Sequence, residues 1–360
     1  MSDFVKEKTS AFRMLQIAFL ALLIAASVSG CVSVKMEDAA WHDKRLDVSW
    51  PQPPEKARIR LLKVISGAKD VVEAQSGSIG KMLEFIVGTR EDYLEFFTPQ
   101  CIAADGDGLI YIADPSAGVV HVYNLADKEI GYIFKAGDKK LVRPVGVALD
   151  GKGHLYVTDS QLGMVFKLRL DGSFIAELDG RGKLKSPAGI AITSTGKKIV
   201  SDLQARKIFI FGADDSFLQE LPGSDFSGEL RMPVYVSVDK NDNIYVTDTM
   251  NFTLRMFDSS GRYLRSIGQI GDSPGSFARP KGVAVDSDLN IYVMDAILGN
   301  FQIFNQKGQL LLYVGQEGAL PGELMLPSAI FIDKNDRIYV SDTFNHRIQI
   351  YQYLKEDRIK

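Results

Sequence analysis

The chain has 360 residues, of which 46% are hydrophobic and 24% are charged, and its formal net charge is −3. This composition is typical of a folded protein with a large core, and it excludes a disordered chain or a protein with many membrane spans. A mildly acidic chain also lacks the broad basic surface that nucleic-acid binding requires, so we expect no nucleic-acid partner.

Residues 1–30 have the organisation of a secretory signal peptide. A basic start is followed by an apolar run from Met14 to Val28 and then by the small residues Ser29 and Gly30. An apolar run of this length falls short of the roughly 20 residues that a membrane-spanning helix needs. The pattern therefore favours a cleaved signal peptide over a retained anchor helix.

The segment Val28-Ser-Gly-Cys31 resembles the lipobox of bacterial lipoproteins. In that family the cysteine is acylated and becomes the first residue of the mature chain, so the resemblance implies lipidation of Cys31 and attachment to a membrane of the bacterial cell envelope. Two or more acyl chains, at ~0.8 kcal/mol per buried methylene, would make the attachment essentially permanent. Val32 stands where aspartate is the inner-membrane retention signal of enterobacteria. This favours the outer membrane, with the protein periplasmic or exposed at the surface.

Three segments precede the main domain. Residues 31–56 contain several prolines and are expected to form a lipidated tether. Residues 57–66 have the pattern of a single β-strand. Residues 67–97 are expected to connect this strand to the domain, with a short helix over Ser78 to Val87, where apolar residues recur at helical spacing.

A repeat fills residues 98–354. Each unit opens on a proline before an apolar strand and closes its second strand on an aspartate. The prolines are Pro99, Pro144, Pro187, Pro233, Pro280 and Pro327, and the aspartates are Asp114, Asp159, Asp202, Asp248, Asp295 and Asp342. Both series advance by 45, 43, 46, 47 and 47 residues. Periods of this size, with several short strands in each unit, are typical of propeller blades.

The repeats predict an all-β, six-bladed β-propeller of four-stranded antiparallel blades. Each unit contains four strand patterns separated by turns rich in Asp, Asn and Gly, except that the last unit stops after its third strand. We expect the N-terminal strand at residues 57–66 to supply the missing fourth strand. Such closure leaves no exposed sheet edge in the ring.

Several motifs resemble those of NHL repeats. The strongest are Asp342-Thr-Phe-Asn-His-Arg-Ile-Gln-Ile350, with its Asn-His-Arg element, and the glycine-rich linkers that begin at Gly268 and Gly315. Over residues 57–354 the chain is similar to the six-bladed NHL propeller lipoproteins of bacteria. The third repeat departs most from this pattern, because Leu203-Gln-Ala-Arg-Lys207 replaces the Thr-x-Asn-His-Arg element.

The sequence offers little that would support catalysis. The repeated aspartates are expected to cap their own turns by accepting backbone hydrogen bonds. The first strands contain no carboxylate or amide that could hold a calcium ion in the channel, and the four histidines are not expected to converge on zinc. We therefore expect no metal and no cofactor. Cys101, the only other cysteine, lies on a predicted buried strand and is expected to be an inert thiol.

A binding surface is the remaining candidate site. In NHL domains, partners contact the face built by the loops between second and third strands and by the segments that enter the first strands. Residues on these loops that differ between blades are the candidate binding residues. They are Gln204, Arg206, Lys207, Tyr235, Asn251, Phe252, Lys281, Asn300, Phe344 and His346.

The sequence therefore predicts a lipid-anchored envelope propeller that acts as a non-enzymatic binding or scaffold module. Its partner would be a protein, a peptide or a glycan. The alternative is a metal-dependent propeller hydrolase or lyase, similar to the propeller lactonases or the amidating lyases, that uses the central channel. The two functions differ in that the alternative requires a metal ion in the channel.

Overall fold

The computed structural model describes residues 41–72, 94–180, 182–224 and 228–355. The predicted signal peptide, Cys31, the first part of the tether and the predicted helix over Ser78 to Val87 lie outside the described residues. The strands lie in one compact unit, Lys44–Lys360. No helix in the described part of the chain has the length and apolar character needed to cross a membrane.

The strands, numbered in chain order, begin before the repeats. The first two are β1 (Ser49–Trp50) and β2 (Ile59–Ile65). Blade 1 contains β3 (Cys101–Ala104), β4 (Leu109–Asp114), β5 (Val119–Asn124) and β6 (Glu129–Ile133). A small hairpin of β7 (Lys135–Ala136) and β8 (Lys139–Lys140) follows. Blade 2 contains β9 (Pro144–Leu149), β10 (His154–Asp159), β11 (Met164–Arg169) and β12 (Phe174–Glu177).

The other blades repeat this arrangement. Blade 3 contains β13 (Pro187–Ile192), β14 (Lys198–Asp202), β15 (Lys207–Phe211) and β16 (Phe217–Leu221). Blade 4 contains β17 (Pro233–Val238), β18 (Ile244–Asp248), β19 (Thr253–Phe257) and β20 (Tyr263–Ile267). Blade 5 contains β21 (Pro280–Val285), β22 (Ile291–Asp295), β23 (Asn300–Phe304) and β24 (Leu310–Val314). Three short 3₁₀ helices are described, at Ala68–Asp70, Thr249–Asn251 and Thr343–Asn345. All blades pair antiparallel, which confirms the predicted fold class.

Blade 6 is closed by the N-terminal segment. It contains β25 (Ile330–Ile332), β26 (Arg337–Asp342) and β27 (Arg347–Tyr353), and β2 pairs antiparallel with β27 as its fourth strand. The apolar side chains of β2 point into the core, where Ile59 and Leu61 are fully buried. The predicted ring closure is therefore confirmed.

The end of the predicted tether belongs to the fold. β1 adds a fifth strand to blade 6, with Trp50 paired opposite Ile59. The Trp50 indole packs against Tyr351, with ring centroids 5.8 Å apart. Residues 49–50 therefore belong to the sheet of blade 6, because the indole packs there and β1 pairs with β2 along one backbone edge.

Small residues in the first strands let neighbouring blades approach closely around the channel. A side chain at Gly282 would lie 2.5 Å from the backbone nitrogen of Ile330 on the next first strand, and one at Gly189 would lie 2.9 Å from Val234 O. Glycine is required at such positions because no β-carbon can be accommodated. Blade 4 departs from this rule, since Tyr235 occupies the corresponding place.

Tyrosines on the second strands of blades 1, 2 and 4 hydrogen-bond to the next blade, in keeping with the packing between blades that the sequence predicted. Tyr111 donates a hydrogen bond to Leu170 O of blade 2 at 2.7 Å, and Tyr245 lies 3.1 Å from Gln306 Oε1 of blade 5. Both tyrosines are fully buried. They therefore supply apolar packing and satisfied hydroxyl groups between blades.

Candidate functional site

The candidate site is the end of the propeller that we call the loop face. It comprises the loops from second to third strands and the segments that enter the first strands. The loops are residues 115–118, 160–163, 203–206, 249–252, 296–299 and 343–346, and the entry segments are residues 97–100, 142–145, 185–188, 231–234, 278–281 and 325–328.

The repeated aspartates hold this face together. The Asp295 carboxylate accepts hydrogen bonds from the backbone of its own turn, from Ile297 N at 3.0 Å and Leu298 N at 3.1 Å. It also accepts from the entry segment, from Ala278 N at 2.8 Å and Arg279 N at 3.0 Å. The predicted capping role is confirmed, and the link to the entry segment is an addition that the sequence did not indicate.

The entry link recurs around the ring. The carboxylates of Asp114, Asp159, Asp202, Asp248 and Asp342 accept backbone hydrogen bonds from their own entry segments at distances of 2.7 to 3.1 Å. Ionised carboxylates are the strongest acceptors for such amides. The loops that would contact a partner are therefore held by the rigid body of each blade.

Exposed apolar side chains occur around the loop face, including Phe97 and Val142 on the entry segments of blades 1 and 2, and one turn position holds such a side chain only in blades 4 to 6. The second residue after each strand-closing aspartate is Met250, Ile297 or Phe344 in blades 4 to 6, with exposed fractions of 54%, 52% and 57%. The same position in blades 1 to 3 holds a polar and exposed residue, which is Ser116, Gln161 or Gln204. Three large exposed apolar side chains therefore occupy equivalent turn positions in successive blades.

The loop of blade 3 carries polar residues that the sequence analysis named as candidate binding residues. Gln204 and Arg206 are exposed, while Lys207 is half-buried with its Nζ 3.6 Å from Glu220 Oε1. Arg206 has a φ of 54°, which places it at the apex of its turn. Gln204 and Arg206 therefore lie on the loop face, whereas Lys207 is the first residue of β15.

Several other predicted binding residues are held in internal contacts. Asn251 donates a hydrogen bond to Glu229 O at 2.8 Å, and His346 Nδ1 donates to Phe97 O at 2.6 Å. Phe252 and Asn300 are half-buried. These contacts mean that Asn251 and His346 shape the loops, whereas Phe344 is freely exposed.

Tyr235 closes the channel instead of lining its rim. Its hydroxyl donates a hydrogen bond to Gln100 O of blade 1, on the opposite side of the ring, at 2.7 Å. The side chain is buried, and this burial raises its pKa well above the usual value. The phenol lies between two cavities and lines both of them. One, of about 400 Å³, lies on the loop face, and the other, of about 240 Å³, lies deeper in the channel.

The deeper cavity is lined by apolar side chains of the first strands together with Tyr235 and Ser237. The apolar residues include Cys101, Val147, Val283 and Ala329. Burial raises the pKa of the Cys101 thiol to about 11, so the thiol stays protonated at neutral pH. In the part of the chain that the structure describes, no three His, Cys, Asp or Glu side chains gather as metal ligands would.

Another cavity, of about 420 Å³, adjoins the 400 Å³ cavity on the loop face. The two share Gln100, Arg143 and Gln161, and the 420 Å³ cavity also contains Lys281 and Ser328. Lys281 Nζ donates a hydrogen bond to Ser328 Oγ at 3.1 Å. Arg143 and Gln161 were not predicted from the sequence, although their positions beside an opening proline and after a strand-closing aspartate are the places to look.

The comparisons with known proteins agree on the architecture. The family DUF5128, described as a 6-bladed beta-propeller, matches residues 233–301 and 287–358, which hold blades 4 to 6. No curated protein matches the chain.

Many solved structures share the fold at low sequence identity. A protein of unknown function from Bacteroides thetaiotaomicron is 18% identical with a TM-score of 0.58, covering 71% of this chain and 70% of its own. Virginiamycin B lyase from Staphylococcus aureus is 13% identical with a TM-score of 0.54, covering 72% and 96%. Hydrazine synthase from Kuenenia stuttgartiensis is 12% identical with a TM-score of 0.52, covering 76% and 99%. Identities this low show a shared fold alone.

Proposed function

We propose that this protein is a propeller lipoprotein of the NHL type, anchored in the bacterial cell envelope through Cys31. Its loop face would bind a protein, peptide or glycan partner without catalysis. The observation that carries this proposal is that Met250, Ile297 and Phe344 are exposed at one equivalent turn position in three successive blades. Exposed apolar groups beside cationic and amide groups are the usual composition of an interface.

The anchor and the closure of the ring fit this role. A lipid at Cys31 would hold the propeller at the membrane, and β2 would join the lipid-bearing segment to blade 6. Because the blades hold their loops through buried aspartates, a partner would meet a preformed surface. Affinity would then arise from several contacts across a rigid ring.

The test is capture of a partner from native envelope membranes with the tagged, detergent-solubilised full chain. The test variant carries Met250→Ser, Ile297→Gln and Phe344→Gln, which are the residue types that blades 1 to 3 hold at this position. We expect the wild-type chain to retain a partner that this variant loses, because burial of these three apolar side chains would drive binding.

The matched control changes three exposed apolar residues on fourth strands instead. It carries Leu218→Gln, Leu264→Gln and Leu311→Gln, whose exposed fractions are 50%, 43% and 41%. We expect it to bind as the wild type does. Equal capture by wild type and test variant, at equal thermal stability, would contradict the proposed surface.

A further inference from the structure

The rim of the channel on the loop face is cationic. The two positions before and the one position after each opening proline include Arg143, Lys185, Arg231, Arg279 and Lys281 and no aspartate or glutamate. None of these five side chains forms an ion pair with a described residue, whereas Lys207 nearby is paired with Glu220. The strand-closing aspartates behind these segments are buried and accept hydrogen bonds from backbone amides, so the exposed charges of the entry segments are cationic, which favours an anion.

Lys281 lies deepest among these cations. It is half-buried, and its Nζ donates a hydrogen bond to the hydroxyl of Ser328, a neutral group. Burial, and after it the charge of Arg279, lower its pKa to about 8. An ammonium group withdrawn from water without a counter-ion is unfavourable, and an anion in the cavity would relieve this cost.

Hydrogen bonds connect Lys281 in this cavity to the loop of blade 6 that carries Phe344. Ser328 Oγ, which accepts from Lys281, lies 3.0 Å from Thr343 Oγ1. Thr343 lines the cavity together with Arg143 and is followed directly by the exposed Phe344. Phe344 does not line the cavity, so a ligand must extend past Thr343 to contact it.

We propose that this cavity, between Arg143 and Lys281, binds a carboxylate of a peptide whose neighbouring apolar side chain packs against Phe344. The inference rests on the proposed binding function and names the ligand class. Charge complementarity requires the anion, and the adjoining apolar residue favours a peptide over a glycan, which would present hydroxyl groups there.

The test measures the acylation rate of Lys281 in the full chain at pH 7.5, with acetic anhydride and peptide mass spectrometry. Lys307, an exposed lysine in the turn between β23 and β24, is the internal reference. The probes are N-acetyl-leucyl-phenylalanine and its C-terminal amide, with trigalacturonate and inorganic phosphate as competing anions. A bound carboxylate raises the pKa of Lys281, and one unit reduces the reactive neutral form roughly tenfold.

We expect the free acid to slow labelling of Lys281 roughly tenfold at saturation, while the amide does not and Lys307 is unaffected. In the Arg143→Gln variant, which changes an exposed side chain, protection should require about tenfold more of the acid. The control variant Lys152→Gln, which changes an exposed lysine in the turn between β9 and β10, should show the same protection as the wild type, with Lys307 as the reference in both.

Three results would overturn the inference. They are no protection by any anion, equal protection by the acid and the amide, or protection by trigalacturonate or phosphate at lower concentration than by the peptide acid. Failure here is distinct from failure of the proposed function. Partner capture that depends on Met250, Ile297 and Phe344 would then persist while Lys281 stayed unprotected.

Discussion

Lys198 is a buried lysine that takes part in a charged cluster between blades 2 and 3. It lies on β14 and is buried at 2% exposure, and its Nζ donates to Gly212 O at 3.0 Å and pairs with Asp215. Asp215 also accepts from Lys167 of blade 2 at 2.8 Å. Burial acts to raise the pKa of Asp215, but the two lysines outweigh it and the pKa is lowered. Blades 2 and 3 are therefore joined by a charged cluster.

Substitution of Asp215 by asparagine should destabilise the protein. It would leave two lysines, one of them buried, without their counter-ion, at a cost of about 3 kcal/mol. Urea unfolding at pH 7 measures this cost. Asp214→Asn removes the same charge from an exposed neighbour and should change stability little. Equal effects of the two variants would show that the cluster contributes nothing.

The lowered pKa of Lys281 predicts an unusual dependence of the protein's stability on pH. Its folded pKa of about 8 lies below the ordinary value of 10.5, so between these values the unfolded chain binds more protons. Stability contributed by this residue therefore rises with pH across that window. The nearby charged side chains are those of Arg143 and Arg279.

The variant Lys281→Met should be more stable than the wild type at pH 7, by about 1 to 2 kcal/mol. This advantage should shrink as the pH approaches 10, because the wild-type lysine is then neutral in the folded state. Denaturant titrations of both proteins at pH 7, 8.5 and 10 measure the difference. An advantage that is constant across this range would refute the assignment.

At the scale of elements, each strand-closing aspartate joins a loop to an entry segment. Asp295→Asn keeps the size of the side chain but replaces one acceptor oxygen by a donor that faces backbone amides. We expect a loss of about 1 to 3 kcal/mol and weaker partner capture, because both halves of the local surface loosen. Thermal unfolding and the capture assay measure the two effects. Asp272→Asn, at an exposed linker residue, should leave both unchanged.

The repeat period allowed most elements to be predicted. Proline and aspartate recur at positions that the backbone requires, so the first and second strands could be located from the sequence. β1 and the hairpin of β7 and β8 were not predicted, because strands of two residues carry no periodic pattern. The hydrogen bond from Tyr235 to Gln100 O could not be predicted from the sequence either, because it joins blades that are far apart in sequence.

The candidate site was only partly predictable for a related reason. Loop membership follows from the repeat, so Arg206 and Phe344 could be placed on the face. Exposure depends on neighbours, and for this reason His346 and Asn251 proved to be loop supports. Aligning equivalent positions across blades would have found Met250 and Ile297.

At the scale of the molecule, closure by β2 predicts that the N-terminal strands are indispensable. A chain beginning at residue 67 would expose β27 along its edge and lose the buried side chains of Ile59, Leu61 and Ile65, each worth roughly 1.5 to 3 kcal/mol. We expect aggregation on size-exclusion chromatography and loss of a single cooperative transition. A chain beginning at residue 44 keeps both strands and should stay monodisperse.

Anchoring gives a further prediction for the whole protein. Cys31→Ser removes the thiol that would be acylated, so the variant should leave the membrane fraction and lose the mass of the acyl chains at its N-terminus. Cell fractionation and intact mass spectrometry measure this result. Continued membrane association without an acylated N-terminus would contradict lipid anchoring.

The closure of blade 6 also constrains when the protein can finish folding. β2 is synthesised before the repeats, yet its partner β27 is synthesised only after blades 1 to 5 and the other strands of blade 6. Until then the nascent chain carries two unpaired strand edges, one at each end of an incomplete ring. Blades 1 to 5 can assemble from local contacts, whereas the final joint must wait for the complete chain. A premature stop late in the gene would therefore cost the protein its closure, however much of the propeller had already formed.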